Sequence, residues 1–142
     1  MPRKIPDSLL TGFVLIDRQH EQIYATFDDL MALLQDGSGK SQILETIAYV
    51  ERHVLTNFDF EETAMKAYGY PHRVEHMAAH LILRENVKDI RQEVQEGNIT
   101  PALVKKCREM LQDALFRHIA EHDLKMAPFL KDKNPNEDGW SL

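Results

Sequence analysis

Apolar residues along most of this chain recur at alternating steps of three and four, the spacing that places them on one face of an α-helix. Breaks that contain glycine or proline interrupt this pattern at 36–39, 69–71 and 97–101. The stretches between these breaks hold no internal glycine or proline, so each is predicted to be one helix. The predicted helices cover about 17–35, 41–68, 72–96 and 100–121, between an N-terminal arm over 1–16 and a C-terminal tail over 131–142.

The predicted helix ends carry residues that suit these positions. Asp17 is the expected N-cap of the first helix. Thr100 is the expected cap of the fourth helix, and Pro101 follows at the first helical position, where proline is well tolerated. The fourth helix is expected to end near 121–124, because Pro128 limits its continuation.

Short connections between long amphipathic helices make consecutive helices antiparallel neighbours. The chain is therefore predicted to form an all-α, antiparallel up-down-up-down four-helix bundle, with residues 1–142 as a single domain. A chain of 142 residues is long enough to bury one substantial core.

Each predicted helix has a few polar residues on the face that should point into the bundle. Antiparallel packing brings the starts of the first and third helices beside the ends of the second and fourth, and the polar positions gather at that end. They are His20, Asn57, Glu61, His76, His80 and His118, with Arg73 at a helix end. Burying one unpaired polar group costs on the order of 1–3 kcal/mol. Several together need a common partner, and a metal ion is the simplest one.

Composition narrows the chemistry of such a site. Cys107 is the only cysteine, so neither a disulfide within the chain nor a thiolate cluster is expected, and Cys107 itself is expected in the core. A formal net charge of −6 argues against a nucleic-acid binder. No stretch approaches the roughly 20 apolar residues that span a bilayer, and no signal-peptide pattern is present. No membrane association is expected, and the cytoplasm is the expected location.

Four motifs of the chain resemble those of bacterial hemerythrins in their order and spacing. They lie at 12–20, 58–71, 76–80 and 118–123. In the first motif a histidine, His20, follows Asp-x-Gln, and the third motif is a pair of histidines four residues apart. The resemblance extends over about 10–130 and implies the four-helix bundle of that family.

Hemerythrins hold two irons bridged by two carboxylates and an oxygen, with five histidines completing the ligand set. The resemblance implies that Glu61 and Asp123 are the bridging carboxylates and that His20 binds the iron with an open position for O2. Ligands of mixed imidazole and carboxylate type suit iron. The implied ligands of the other iron are His76, His80 and His118.

Asn57 departs from the family pattern, because the fifth histidine is expected at this position. Either Asn57 is a weak or outer ligand of the iron that His20 binds, or it is a structural amide that bridges helices. His53, one turn earlier, could replace the missing histidine only if the second helix were distorted. Glu62 is expected to be a solvated charge.

The last motif contains an irregular step. His118 and Asp123 are five residues apart, which corresponds to about 140° around a regular α-helix. We infer that the fourth helix ends or bulges between them. His122 could also compete with Asp123 as a ligand.

The expected function is reversible O2 binding at a non-haem di-iron centre, for transport, storage or sensing. No general base or substrate cleft is indicated, so a binding protein is expected rather than an enzyme. The alternative is a di-iron oxidase, peroxidase or nitric-oxide-handling enzyme at a site opened by Asn57. A third interpretation is a metal-binding module that no longer binds O2.

Overall fold

The computed structural model describes residues 5–134, and within that range four long helices form a bundle without a β-strand. After a 3-10 turn at Asp7–Leu9, helix α1 spans Val14–Gln35, α2 spans Lys40–Tyr68 and α3 spans Arg73–Gln95. The fourth helix, α4, covers 101–133. It consists of the α-helical pieces Pro101–Cys107, Ala114–His118 and Leu124–Lys133, joined by π-helical turns at Arg108–Asp113 and Ile119–Asp123. The predicted all-α bundle is confirmed.

Helix α1 begins at Val14, three residues before the predicted start, and Phe13 rather than Asp17 is its N-cap. The Asp17 carboxylate instead accepts hydrogen bonds from the backbone N–H and hydroxyl of Thr11, both at 2.8 Å, and from the Gly12 N–H at 3.2 Å. The prediction of Asp17 as N-cap is therefore wrong, and the predicted arm over 1–16 is too long. The carboxylate ties the preceding loop to the helix from one turn inside it.

Helix α4 continues to Lys133, beyond the predicted end at 121–124, with Pro128 inside it. A proline there costs roughly 3 kcal/mol, because it lacks an N–H and crowds the preceding turn. The side chains of Met126 and Leu130 are fully buried, and burial of one such side chain contributes about 1.5–3 kcal/mol. Their packing offsets the free-energy cost of the proline, and this explains why the helix continues past its predicted end. Residues 131–133 of the predicted tail are helical, and 135–142 lie outside the described residues.

The core has two apolar parts with a polar layer between them. The larger part contains Ile23 of α1, Phe58 of α2 and Ile119 of α4. The smaller part lies toward one end of the bundle and contains Ile16, Ala64 and Met126 from the same three helices. Along each of these helices a buried ionisable residue lies between the two apolar parts, and these residues are His20, Glu61 and Asp123. The polar layer therefore has apolar packing on both sides.

The buried Cys107 belongs to the larger apolar part, as expected for a packing residue. Within 5–134, none of the helices combines the length and the apolar composition that crossing a membrane requires.

Candidate metal centre

Five ionisable residues of the polar layer each offer one ligand atom within 4.8 Å of the others, and all five are buried. They come from α2, α3 and α4 and are Glu61, His76, His80, His118 and Asp123. His20 of α1 adjoins this group, with its Nε2 2.9 Å from Asp123 Oδ2 and 3.4 Å from Glu61 Oε2. The structure thus brings together the six residues that the family resemblance implies as metal ligands.

The two carboxylates divide their oxygens between two sets of histidines. Glu61 Oε1 lies 3.2 Å from His76 Nε2 and 3.0 Å from His80 Nε2. Asp123 Oδ1 lies 2.8 Å from His76 Nε2 and 3.2 Å from His118 Nε2. The other oxygen of each carboxylate is directed at His20.

We call the first set the three-histidine half of the site. It is formed by Oε1 of Glu61, Oδ1 of Asp123 and the Nε2 atoms of His76, His80 and His118. The second set, the His20 half, is formed by Oε2 of Glu61, Oδ2 of Asp123 and Nε2 of His20. Each half contains two carboxylate oxygens, one from Glu61 and one from Asp123.

The buried polar atoms of this site fit a metal better than they fit one another. Among the described residues, the ring nitrogens of His20, His76 and His118 and both oxygens of Asp123 have no hydrogen-bond partner of acceptable geometry. Several of these atoms nevertheless approach within 2.8–3.2 Å. Short contacts without hydrogen-bond alignment indicate lone pairs that converge on shared points, and imidazole with carboxylate is a donor set suited to iron.

The electrostatics of the layer favour bound positive charge. Burial by itself would lower the pKa of His20 and His76, but the carboxylates of Asp123 and Glu61 raise these pKa values to about 10 and about 9. Burial by itself would raise the pKa of both carboxyls, yet the facing histidines lower the pKa of Glu61 and that of Asp123. Both carboxylates are therefore ionised at neutral pH, and the histidines must release protons before they can bind a metal.

The π-helical turn Ile119–Asp123 explains how α4 supplies two residues to the same site. In a regular α-helix, His118 and Asp123 would point in directions about 140° apart. The wider turn places His118 Nε2 and Asp123 Oδ1 3.2 Å apart. The bulge inferred from the sequence is confirmed, and such bulges are frequent at functional sites.

The ring of His80 is held on two sides. Its Nδ1 lies 2.7 Å from Glu62 Oε2, and the ring of Phe58 stacks on it with centroids 3.8 Å apart. The expectation that Glu62 is only a solvated charge is wrong, because this carboxylate accepts the Nδ1–H of His80. The lone pair of His80 Nε2 therefore faces Glu61 Oε1. The need of a ligating histidine for a partner at its second nitrogen is the signal that could have identified Glu62.

Comparison with known proteins identifies the family. The model of the hemerythrin HHE cation binding domain matches residues 11–130. The chain belongs to the hemerythrin family.

Among similar hemerythrins is a bacteriohemerythrin of Pseudomonas paraeruginosa, 30% identical over 94% of this chain and 89% of its own length. A bacteriohemerythrin of Pseudomonas aeruginosa is also 30% identical over the same shares. One from Campylobacter jejuni is 24% identical over 84% of this chain and 88% of its own length. No solved structure matches the chain at a significant level.

Asn57 is fully buried in this hemerythrin and bridges α1 and α2 through its amide nitrogen. Nδ2 donates to Gln19 Oε1 at 2.8 Å and to Glu61 Oε2 at 3.0 Å, while Oδ1 has no hydrogen-bond partner among the described residues. Sequence reasoning missed Gln19, because it lies beside His20 and off the traced apolar stripe.

Three further histidines of this hemerythrin could serve as ligands by residue type, and among the described residues only His122 contacts residues of the site. His53 is half-buried and is not among the five grouped residues. His122 is half-buried, with its ring centroid 5.2 Å from that of His118, and burial and the neighbouring histidines lower its pKa. His72 is exposed and contacts Glu75 at 3.0 Å. None of the three belongs to the group of described residues that could hold a metal.

Proposed function

We propose that this hemerythrin holds two iron ions bridged by Glu61 and Asp123 and binds O2 reversibly. One observation carries the proposal: each carboxylate directs one oxygen at the three-histidine half and the other at His20. A single ion would use only one such set, whereas two ions side by side use both. The bridging carboxylates offset the repulsion between two cations a few ångströms apart.

The proposed ligands have distinct roles. The nitrogens of His76, His80 and His118 would hold one iron together with Glu61 and Asp123. In the His20 half only one imidazole is available, which leaves room for a small ligand. A bound iron would supply the electrons that O2 binding requires. The apolar packing on both sides of the layer limits the access of water.

Asn57 favours a second candidate function, an oxidase, peroxidase or nitric-oxide-handling activity. A buried amide stands where the family would supply an imidazole, so the His20 half has a more carboxylate-rich donor set than a five-histidine site. Turnover of peroxide or nitric oxide by the iron-loaded protein would support this alternative. The relatives carry the name bacteriohemerythrin, which favours oxygen binding.

A cytoplasmic location and the absence of nucleic-acid binding stay predictions.

The test is iron per chain after anaerobic reconstitution, followed by an absorption spectrum before and after exposure to air and after removal of O2. We expect two irons and a reversible new charge-transfer band in the near-ultraviolet and visible range. His20→Ala should abolish the band, and His72→Ala, which changes an exposed histidine, should leave it unchanged. Two irons with no spectral change in air would contradict O2 binding. That result would support the interpretation of a metal-binding module that no longer binds O2.

A further inference from the structure

Residues 5–12, which we call the strap, fold back along the beginning of α1 and are bound to its side. The backbone N–H of Ile5 donates a hydrogen bond to Glu21 Oε1 at 2.9 Å. At the other end of the strap, the N–H and the hydroxyl of Thr11 donate to the Asp17 carboxylate. The strap therefore runs antiparallel to the first two turns of α1.

One row of side chains on α1 shows where the strap lies. Its members recur at steps of four, three and four, so they share one helix face, and they are Asp17, Glu21, Tyr24 and Asp28. Tyr24 stacks on Phe116 of α4 with ring centroids 5.2 Å apart. Asp28 accepts a hydrogen bond from Gln112 of α4 at 2.6 Å. The row thus faces α4, and the strap, bound to its first two members, covers the seam between α1 and α4.

Contacts of the strap with α4 and with the core agree with this placement. Gly12 has a φ of +87°, and a Cβ atom on it would lie 2.5 Å from Nζ of Lys131 in α4. Ile5 is 3% exposed and packs in the larger apolar part of the core, and Leu9 packs against the same part. The strap therefore closes the seam with apolar side chains.

The His20 half of the metal site lies at the depth of the strap. His20 falls between the two anchors Asp17 and Glu21 in α1, and its Nε2 is 2.9 Å from Asp123 Oδ2 of α4. Toward the seam, the covering segment contains a 3-10 turn but no α-helix. Segments of this kind, with few buried contacts, open at a lower free energy than whole packed helices do.

We propose that the strap is a releasable cover of the His20 half. It detaches from the seam while the four helices stay folded, and this local opening admits water and small ligands to His20. Among the described residues, three hydrogen bonds reach Asp17 and one reaches Glu21, so opening starts at the Ile5 end. The part of the inference that concerns bound metal rests on the proposed two-metal site.

The experiment follows exchange of the imidazole C2 hydrogens with deuterium by mass spectrometry, in the full chain without metal. This exchange requires contact of the ring with solvent. Glu21→Ala removes the acceptor of the Ile5 N–H, so His20 should exchange about three- to tenfold faster, the factor that one hydrogen bond corresponds to. His76 and His80 of α3 are as deeply buried as His20, at 1% exposure each, and should keep their rates.

Two variants are matched controls. Asp28→Ala removes a carboxylate of the same row that is half-buried like Glu21 but accepts its hydrogen bond from α4. Glu21→Gln removes the charge and keeps an oxygen that accepts the Ile5 N–H. In both controls His20 should exchange as in the unaltered protein. An acceleration in Asp28→Ala equal to that in Glu21→Ala would mean that α1 is loosened in general and would overturn the proposal.

Ile5→Ala tests the apolar contact of the strap independently of Glu21. Loss of this buried side chain should accelerate exchange of His20 by about tenfold or more. An unchanged His20 rate in both Ile5→Ala and Glu21→Ala would overturn the proposal. Equal acceleration of His20, His76 and His80 would show that exchange proceeds by opening of the whole bundle, and it would overturn the proposal as well.

A second measurement distinguishes failure of this inference from failure of the two-metal site. Co(II) accepts the same nitrogen and oxygen ligands as iron, and its release from the loaded protein to a chelator is followed by visible absorption. Two ions should leave in two phases, and Glu21→Ala should accelerate one phase, that of the His20 half. Two phases that are both unchanged in Glu21→Ala would contradict the strap as the route to His20. Release in one phase would contradict the two-metal site, while the exchange of His20 without metal still decides whether the strap opens.

Discussion

His118 and Asp123 lie five residues apart in the sequence, yet the Nε2 atom of the histidine is 3.2 Å from the Oδ1 atom of the aspartate. The π-helical turn between them makes this possible, because a regular helix would separate the two side chains around its axis. The same helix thereby supplies an imidazole and a carboxylate to one buried layer.

The contact between Glu62 and His80 predicts a loss of metal affinity in Glu62→Ala. The carboxylate accepts the Nδ1–H at 2.7 Å and fixes the ring with Nε2 toward Glu61. Loss of such a partner typically weakens metal binding by roughly 10–100-fold. Titration with Co(II) measures the effect. Glu75→Ala is the matched control, because Glu75 accepts from the exposed His72 and should have no effect. Equal affinities in the two variants would contradict an orienting role.

The histidines predict how stability of the protein prepared without metal depends on pH. The folded pKa values of His20 and His76, about 10 and about 9, lie above the ordinary value of 6.5. Their contribution to the free energy of unfolding is fully present below pH 6.5 and is lost as pH rises through 9 to 10. Urea unfolding between pH 6 and 10 should show a steady decrease.

The carboxylates act at the opposite end of the pH range. The pKa values of Glu61 and Asp123 are lowered, so their stabilising contribution is present above their ordinary values, near 4.5 and 3.8, and is lost as the solution is acidified through the lowered values. Stability of the metal-free protein should therefore be greatest at mildly acidic pH. Stability that increases from pH 6.5 to 9 would contradict the assigned charges.

Pro128 predicts a stabilising substitution. It lies inside the last α-helical piece of α4 and is exposed, so Pro128→Ala adds an N–H that can bond within the helix without disturbing the core. We expect the free energy of unfolding in urea to rise by about 2 kcal/mol, after the entropy gained by the unfolded chain is subtracted. Pro101→Ala, at the first helical position, should give no such gain. Equal effects at both positions would be inconsistent with this account.

Two isoleucines of α3 give a test of the core. Ile90 is 1% exposed and packs in the larger apolar part, whereas Ile82 is 63% exposed. Ile90→Ala should lower the free energy of unfolding by about 2–5 kcal/mol. Ile82→Ala should change it by less than about 0.5 kcal/mol. A comparable loss at both positions in chemical denaturation would mean that the exposed face of α3 is covered in solution.

Much of the fold and of the candidate site could be predicted from the sequence. The apolar period predicted the four helices, and α2 and α3 begin and end within one residue of the predicted limits. The polar exceptions His20, Glu61 and His76 share one depth in an antiparallel bundle, so their proximity follows from periodicity and connection length. The step from His118 to Asp123 indicated an irregular helix.

What the sequence by itself determined were properties that repeat along one helix, namely its period, its buried face and its breaks. Tertiary structure decided that Glu62 orients His80, that Asn57 donates a hydrogen bond to Gln19, and that α4 continues past Pro128. The physical reason is that a hydrogen bond between helices depends on their relative rotation and depth to within a fraction of an ångström. Likewise, the penalty of a proline is offset only by packing against side chains from other helices. Neither quantity is contained in the local pattern of one segment.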